Sequence, residues 1–129
     1  LAFSPDNNML ATVETRGQVT LWDLGGASPL YQWELYSENP RSVAISPDGR
    51  LMALGCFDGT LLLIDLDSGK ERYRATAHQG LITSLDFNVS GKRLATAGVD
   101  MNAILWDVGG LPGSDGEGQS VRALSEKIT

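Results

Sequence analysis

The chain of 129 residues holds one histidine, His78, and one cysteine, Cys56, and that scarcity narrows the chemistry it can perform. A serine or threonine nucleophile needs a base beside it, normally histidine, so a hydrolytic triad would have to be built on His78. A single cysteine forms no intrachain disulfide and no cysteine-based metal site. Cys56 falls in an apolar run, where a small buried side chain is expected. Three carboxylates, Asp65, Asp67 and Glu71, resemble part of a calcium loop, which sets oxygen ligands on alternate residues. The stretch lacks a third aspartate and its glycine, Gly69, is misplaced, so Asp65 to Lys70 reads as an ordinary turn. No catalytic residue, cofactor site or metal site is expected from these types and spacings.

What must position these residues is a repeat. Trp22-Asp23 returns as Ile64-Asp65 and again as Trp106-Asp107, a spacing of 42 residues each time (22, 64, 106). The flanking sequence returns with it: LAFSPDNNMLATVETRGQVTLWDL from Leu1, VAISPDGRLMALGCFDGTLLLIDL from Val43, LDFNVSGKRLATAGVDMNAILWDV from Leu85. Each copy opens on a short apolar alternation, as at Val43 and Ile45 or Leu85 and Phe87. A turn cluster follows at Ser4 to Asn7, Ser46 to Gly49 and Asn88 to Gly91, where Pro, Gly and Asn supply the dihedrals a tight turn needs. A second apolar run occupies Met9 to Val13, Leu51 to Cys56 and Arg93 to Ala97. A second turn sits on Arg16-Gly17, Asp58-Gly59 and Asp100-Met101, and a third run ends at the Trp-Asp position. Runs this short, rich in branched and aromatic side chains, predict strands rather than helices. A fourth strand is predicted at Tyr31 to Leu35 and at Glu71 to Ala75, the latter charged as an outer edge in water should be. In the third copy Ser120 to Leu124 fits either that strand or a short helix. Asn88-Val89-Ser90 matches the glycan-acceptor sequon, but it replaces Ser-Pro-Asp of the other copies and reads as a turn variant.

These residues make the chain resemble the WD-repeat β-propeller family, over residues 1 to about 108; a period of ~40–45 residues with a Trp-Asp pair marks a four-stranded blade. The resemblance implies an all-β fold, a β-propeller of three four-stranded antiparallel blades forming a partial ring. Blade one takes 1–40 with its first strand truncated, blade two 41–80, and the first three strands of blade three 81–108. Residues 109–129 form a Gly-rich linker and a possible last strand. The resemblance also implies a hydrogen-bonded set that braces each blade: a histidine in the entering loop, a hydroxyl on the second strand, an aspartate in the tight turn and a tryptophan on the third strand. The third copy supplies all four, as His78, Thr96, Asp100 and Trp106, which makes His78 a brace rather than a base. The second copy has Tyr36, Leu54 and Ile64 in those places and keeps only Asp58, so apolar packing should replace the network. The first has Thr12 and Trp22 but Arg16 for the aspartate. Closed propellers have about 4 to 8 blades. Three therefore imply a piece of a larger propeller or one subunit of an assembled ring, with self-association or further blades closing it.

A net charge of −6 argues against a broad nucleic-acid surface, which needs clustered Lys and Arg. Lys70, Arg72 and Arg74 alternate on one strand and read as a solvated edge. No apolar stretch approaches the ~18 residues of a membrane span. With no reactive constellation, the resemblance implies a cytoplasmic, non-catalytic scaffold for protein–protein interaction. Its protein or peptide partner would sit on the rim formed by the loops entering the blades and the turns between second and third strands. Tyr36, Arg41 and Phe57 are the candidate contact residues there. Phe57 is a large aromatic in a tight turn that does not need one; the competing reading for Tyr36 is packing in the vacated histidine position. A regulatory or sensing propeller fused to a kinase or protease is the alternative, and a propeller hydrolase a third reading that no residue supports.

Overall fold

Strands that alternate apolar and polar bury one face, and strands apolar in both phases bury two. Both kinds occur here, and their order decides how the sheets stack. The computed structural model describes residues 1–4, 6–26, 28–109 and the backbone of 122–125. The first sheet contains β1 (Ala2–Phe3), β2 (Met9–Val13), β3 (Gln18–Asp23) and β4 (Ser28–Glu34). The second contains β5 (Pro40–Ile45), β6 (Leu51–Cys56), β7 (Thr60–Asp65) and β8 (Glu71–Thr76). The third contains β9 (Ile82–Phe87), β10 (Arg93–Gly98), β11 (Ala103–Asp107) and β12 (Arg122–Ser125). Each is an antiparallel meander in chain order. β12 pairs with β11, so this stretch is extended and not the short helix that its sequence also allowed. The rest of the predicted Gly-rich linker and last strand, residues 110–121 and 126–129, lies outside the described residues.

The first hairpin turn of each sheet is closed by the side chains that its sequence supplies. Ser46 Oγ donates to Asp48 Oδ1 at 2.6 Å and accepts the Leu51 N–H at 3.0 Å. Ser4, Asp6 and Met9 repeat this geometry. In the third sheet Asn88 takes the role of the serine: its Oδ1 accepts from Arg93 N and from Ser90 Oγ, both at 3.1 Å. Asn88-Val89-Ser90 is thus built into a hairpin turn.

Two apolar seams hold the sheets together. Ala11, Val19 and Leu21 of the first sheet meet Met52, Leu54, Cys56, Leu62 and Ile64 of the second. Leu51, Ala53, Leu61 and Leu63, the other phase of β6 and β7, meet Ile82, Leu94, Ile104 and Trp106 of the third. The middle sheet is therefore buried on both faces, and each fully buried Leu or Ile contributes roughly 1.5–3 kcal/mol. Polar contacts clamp the seams from the side. Trp33 Nε1 donates to Gly69 O at 2.9 Å, with Tyr31 stacked on Trp33 at 5.5 Å between centroids. Ser42 Oγ donates to Ile82 O at 3.2 Å across the second seam.

The outer strands bulge at equivalent positions, opposite Leu21/Trp22 and Leu63/Ile64. The extra residue in the second sheet is Arg72, which reaches buried Asp65 at 2.8 Å. Its counterpart in the first sheet is Leu30, which is exposed. The three carboxylates of the calcium-like stretch each go to their own arginine: Asp65 to Arg72, Asp67 to Arg50, Glu71 to Arg74. Among the described residues no group of three or more His, Cys, Asp or Glu could hold a metal, and no helix is long and apolar enough to cross a membrane.

Candidate functional site: a braced blade and an exposed loop rim

The only histidine is consumed by structure. His78 is 2% exposed. Its Nε2 lies 2.8 Å from Thr96 Oγ1, and its Nδ1 lies 3.0 Å from Asp100 Oδ1. Trp106 Nε1 donates to the same Thr96 oxygen at 3.1 Å. In the neutral imidazole the proton count fixes the tautomer. Asp100 accepts, so Nδ1 carries the proton; Thr96 then donates its own hydrogen to Nε2 and accepts the indole N–H. Asp100 also takes the backbone N–H of Gln79 and of Asn102, each at 3.1 Å. The four residues form one satisfied chain from β11 through β10 to the loop entering the third sheet, and no ring nitrogen is left for base catalysis. Burial pushes the Asp100 carboxyl upward, but the bonds from His78, Gln79 and Asn102 outweigh it and hold the group well below its ordinary 3.8.

Room for the imidazole comes from Gly98, where a Cβ would lie 2.9 Å from His78 Nδ1. The equivalent residue in the second sheet is Cys56, fully buried in the first seam. Where no imidazole enters, a larger side chain fills the space. Burial first, then the charges of Asp58 and Glu38, push the Cys56 thiol up to about 12, so it stays protonated and unreactive. Leu54 and Ile64 stand in for the hydroxyl and the indole, and both are buried in that seam. Tyr36 does not enter the histidine's place; it is 59% exposed in the loop between β4 and β5. In the first sheet the Trp22–Thr12 bond is kept at 3.1 Å.

A pH experiment separates the two aspartates. Because the Asp100 carboxyl is held below its unfolded value, it stabilises the fold above about pH 4 and that contribution is lost as the pH falls toward the folded value. Asp58 is also lowered, by its bonds to Thr60, but it has no imidazole partner. Asp100→Asn should flatten the fall in Tm between pH 5 and 2 more than Asp58→Asn does. Equal flattening would remove the special place given to Asp100.

Of the remaining candidates, the structure brings Arg41 and Phe57 together on the rim between the first two sheets. Phe57 is 52% exposed, and the Arg41 guanidinium lies 5.1 Å from its ring centroid. Arg41 Nε donates to Asn39 Oδ1 at 3.2 Å, and Asn39 O receives the Phe57 N–H at 2.9 Å. Asn39 therefore fixes both partners of the stack, from a left-handed backbone with φ of 52°. Tyr36 stands three residues before Asn39, close to Gly17, where a Cβ would lie 3.0 Å from Tyr36 Cα. Val99, equivalent to Phe57 one repeat on, and Met101 are exposed on the next turn of the same rim. The sequence pointed to Tyr36, Arg41 and Phe57 as contacts and placed Asn39 on the same rim, but it gave neither the role of Asn39 in holding the stack nor Gly98. Their signals were a left-handed turn position and a missing side chain beside the histidine, both visible only once the loops are in place.

Three kinds of similarity accompany this geometry. The sequence model of one family, described as the Anaphase-promoting complex subunit 4 WD40 domain, matches residues 1–90. Transducin-like enhancer protein 2 of Mus musculus is 28% identical over 106 residues, which is 81% of this chain and 14% of that protein. UBP9-binding protein bun62 of Schizosaccharomyces pombe is 30% identical over 110 residues, 81% of this chain and 20% of its own. Telomerase protein component 1 of Mus musculus is 31% identical over 103 residues, 80% of this chain and 4% of its own. The chain thus spans a small part of the curated relatives it matches. Among solved structures, the RRP9 WD40 repeats superpose with a TM-score of 0.77 at 21% identity, over 82% of this chain and 34% of that one.

Proposed function

The chain belongs to the WD40-repeat family of β-propellers, and from that premise we propose that it is a non-catalytic scaffold that binds a protein or peptide segment on the rim carrying Tyr36, Arg41 and Phe57. The observation that carries the reading is the Arg41–Phe57 stack. An aromatic ring in a tight turn, half exposed and capped by an arginine held from below, serves no seam of the fold. Exposed aromatics and arginines in rigid loops are the usual anchors of an interface. Support for a scaffold comes also from the only histidine being committed to Thr96 and Asp100 and from the unreactive thiol. The outward faces of the first and third sheets would be covered by further blades or by a second copy, as the sheets of a ring are.

The test is selection of a displayed random-peptide library on the purified chain. Peptides so obtained should bind Arg41→Ala, Phe57→Ala at least about tenfold more weakly, a loss of about 1.4 kcal/mol. The Tm should stay nearly constant, since surface substitutions away from packing change stability by about 0.5 kcal/mol or less. A large fall in Tm would make the pair packing residues. Unchanged binding would remove the rim as the site.

A further inference from the structure

The chain carries 16 acidic side chains against 10 Lys and Arg, so carboxylates outnumber the cations they could pair with. Arg50, Arg72 and Arg74 each pair with a carboxylate. Arg41 pairs with none among the described residues; its contacts are the Asn39 amide and the face of Phe57. The rim acids that could have neutralised it are engaged elsewhere. Glu38 receives Arg74 at 3.0 Å, and Asp58 accepts the Thr60 N–H at 3.0 Å. Arg16, next to the glycine that abuts Tyr36, is exposed and forms no ion pair among the described residues. The rim therefore carries the Arg41–Phe57 stack and, at the turn beside Tyr36, Arg16, both arginines without a carboxylate partner among the described residues.

We propose that this rim takes an acidic peptide, its Asp or Glu carboxylate received by the Nη edge of Arg41 and an apolar neighbour laid against Phe57 and Tyr36. The inference rests on the rim being the binding surface. A guanidinium offers two parallel N–H groups that match the two oxygens of a carboxylate. With Nε donating to Asn39 and Cζ 5.1 Å from the Phe57 ring centroid, the guanidinium is held by two contacts before a ligand arrives, which reduces the rotamer freedom lost on binding. The overall negative charge does not oppose this at contact distance, because charges beyond ~8 Å are largely screened at physiological ionic strength. It does disfavour a segment that is acidic alone, so the apolar neighbour is part of the recognition.

The test uses the whole chain and peptides of defined composition. A fluorescent peptide alternating glutamate and leucine is titrated beside its glutamine–leucine and phosphoserine–leucine counterparts. The glutamate peptide should bind about tenfold more tightly than the glutamine one, and high salt should erase the difference. Arg41→Gln should erase it as well, with Tm unchanged, and Arg41→Lys should restore it only in part. Equal binding of the glutamate and glutamine peptides, both lost in Phe57→Ala, would overturn the acidic preference and leave the rim as the site. Binding by the phosphoserine peptide alone, or no binding by the glutamate peptide, would also overturn it. Binding indifferent to both Arg41→Gln and Phe57→Ala would overturn the rim itself.

Discussion

Thr96→Val should lower stability by roughly 2–4 kcal/mol in urea unfolding, because it leaves two buried groups without partners at once. Valine has nearly the shape of threonine, so the packing of the second seam survives. The lost hydroxyl, however, was both acceptor for Trp106 Nε1–H and donor to His78 Nε2. Each buried polar group so stranded costs about 1–3 kcal/mol. The first sheet supplies the control. Thr12→Val breaks only the Trp22 bond, between half-buried residues, and should cost clearly less. Losses of equal size would mean that Thr96 is not the centre of a network but one hydroxyl among others.

Gly59→Ala should destabilise by about 2–5 kcal/mol. Gly59 has φ of 94°, which costs an L side chain about 1–2 kcal/mol. A Cβ there would also fall inside the contact distance of His78 O and 2.7 Å from His78 C. Its neighbour is backbone, which cannot swing away, and overpacking of that kind adds about 1–3 kcal/mol. The crowding has a cause: Ala77 N and His78 N both donate to Gly59 O, so the loop that delivers the imidazole is tied to this turn. Gly17 repeats the arrangement with Leu35. In the third sheet the equivalent residue is Met101, with φ of 66° and 90% exposed. Met101→Gly should change stability little, since relief of about 1 kcal/mol of left-handed strain is offset by the larger unfolded-state entropy of glycine. A Gly59→Ala protein as stable as the parent would show that the loop of His78 is free of the turn.

The strand order was readable because a strict 42-residue repeat superimposes three weak patterns into one strong one. Leu62 and Leu63, both buried, could not be assigned to a seam from their type, but their alternation along β7 assigned them to opposite ones. The brace of the third sheet was legible because His, Thr, Asp and Trp at fixed spacing leave few other ways to satisfy four polar groups. The exchange of Gly98 for Cys56 was not. It depends on which loop carries a ring that points inward, and Tyr36 occupies the histidine's sequence position while pointing away. The clamp of Tyr31 and Trp33 on the turn at Gly69 joins residues 36 apart, and nothing in local periodicity relates them. The fate of Leu30 and Arg72 was hidden for a similar reason. A bulge decides which side chain turns back, and a bulge leaves no mark in an alternating sequence.

The two seams are asymmetric in the same sense. Ala11 and Ala53 lie on the side of their sheets that meets the next one, and Ala95 follows at the same repeat position on the outward side of the third. The opposite side carries the bulkier set, Ile64 and Trp106 at the seams and Trp22 on the first sheet. A stack built of such unlike faces has polarity, in the way a filament has a plus and a minus end. Contact between like faces would set tryptophan against tryptophan or alanine against alanine, and neither fills the space that a seam fills. Any sheet joining this stack must enter in the same orientation as its predecessors, so that only heterologous, head-to-tail addition is open to it.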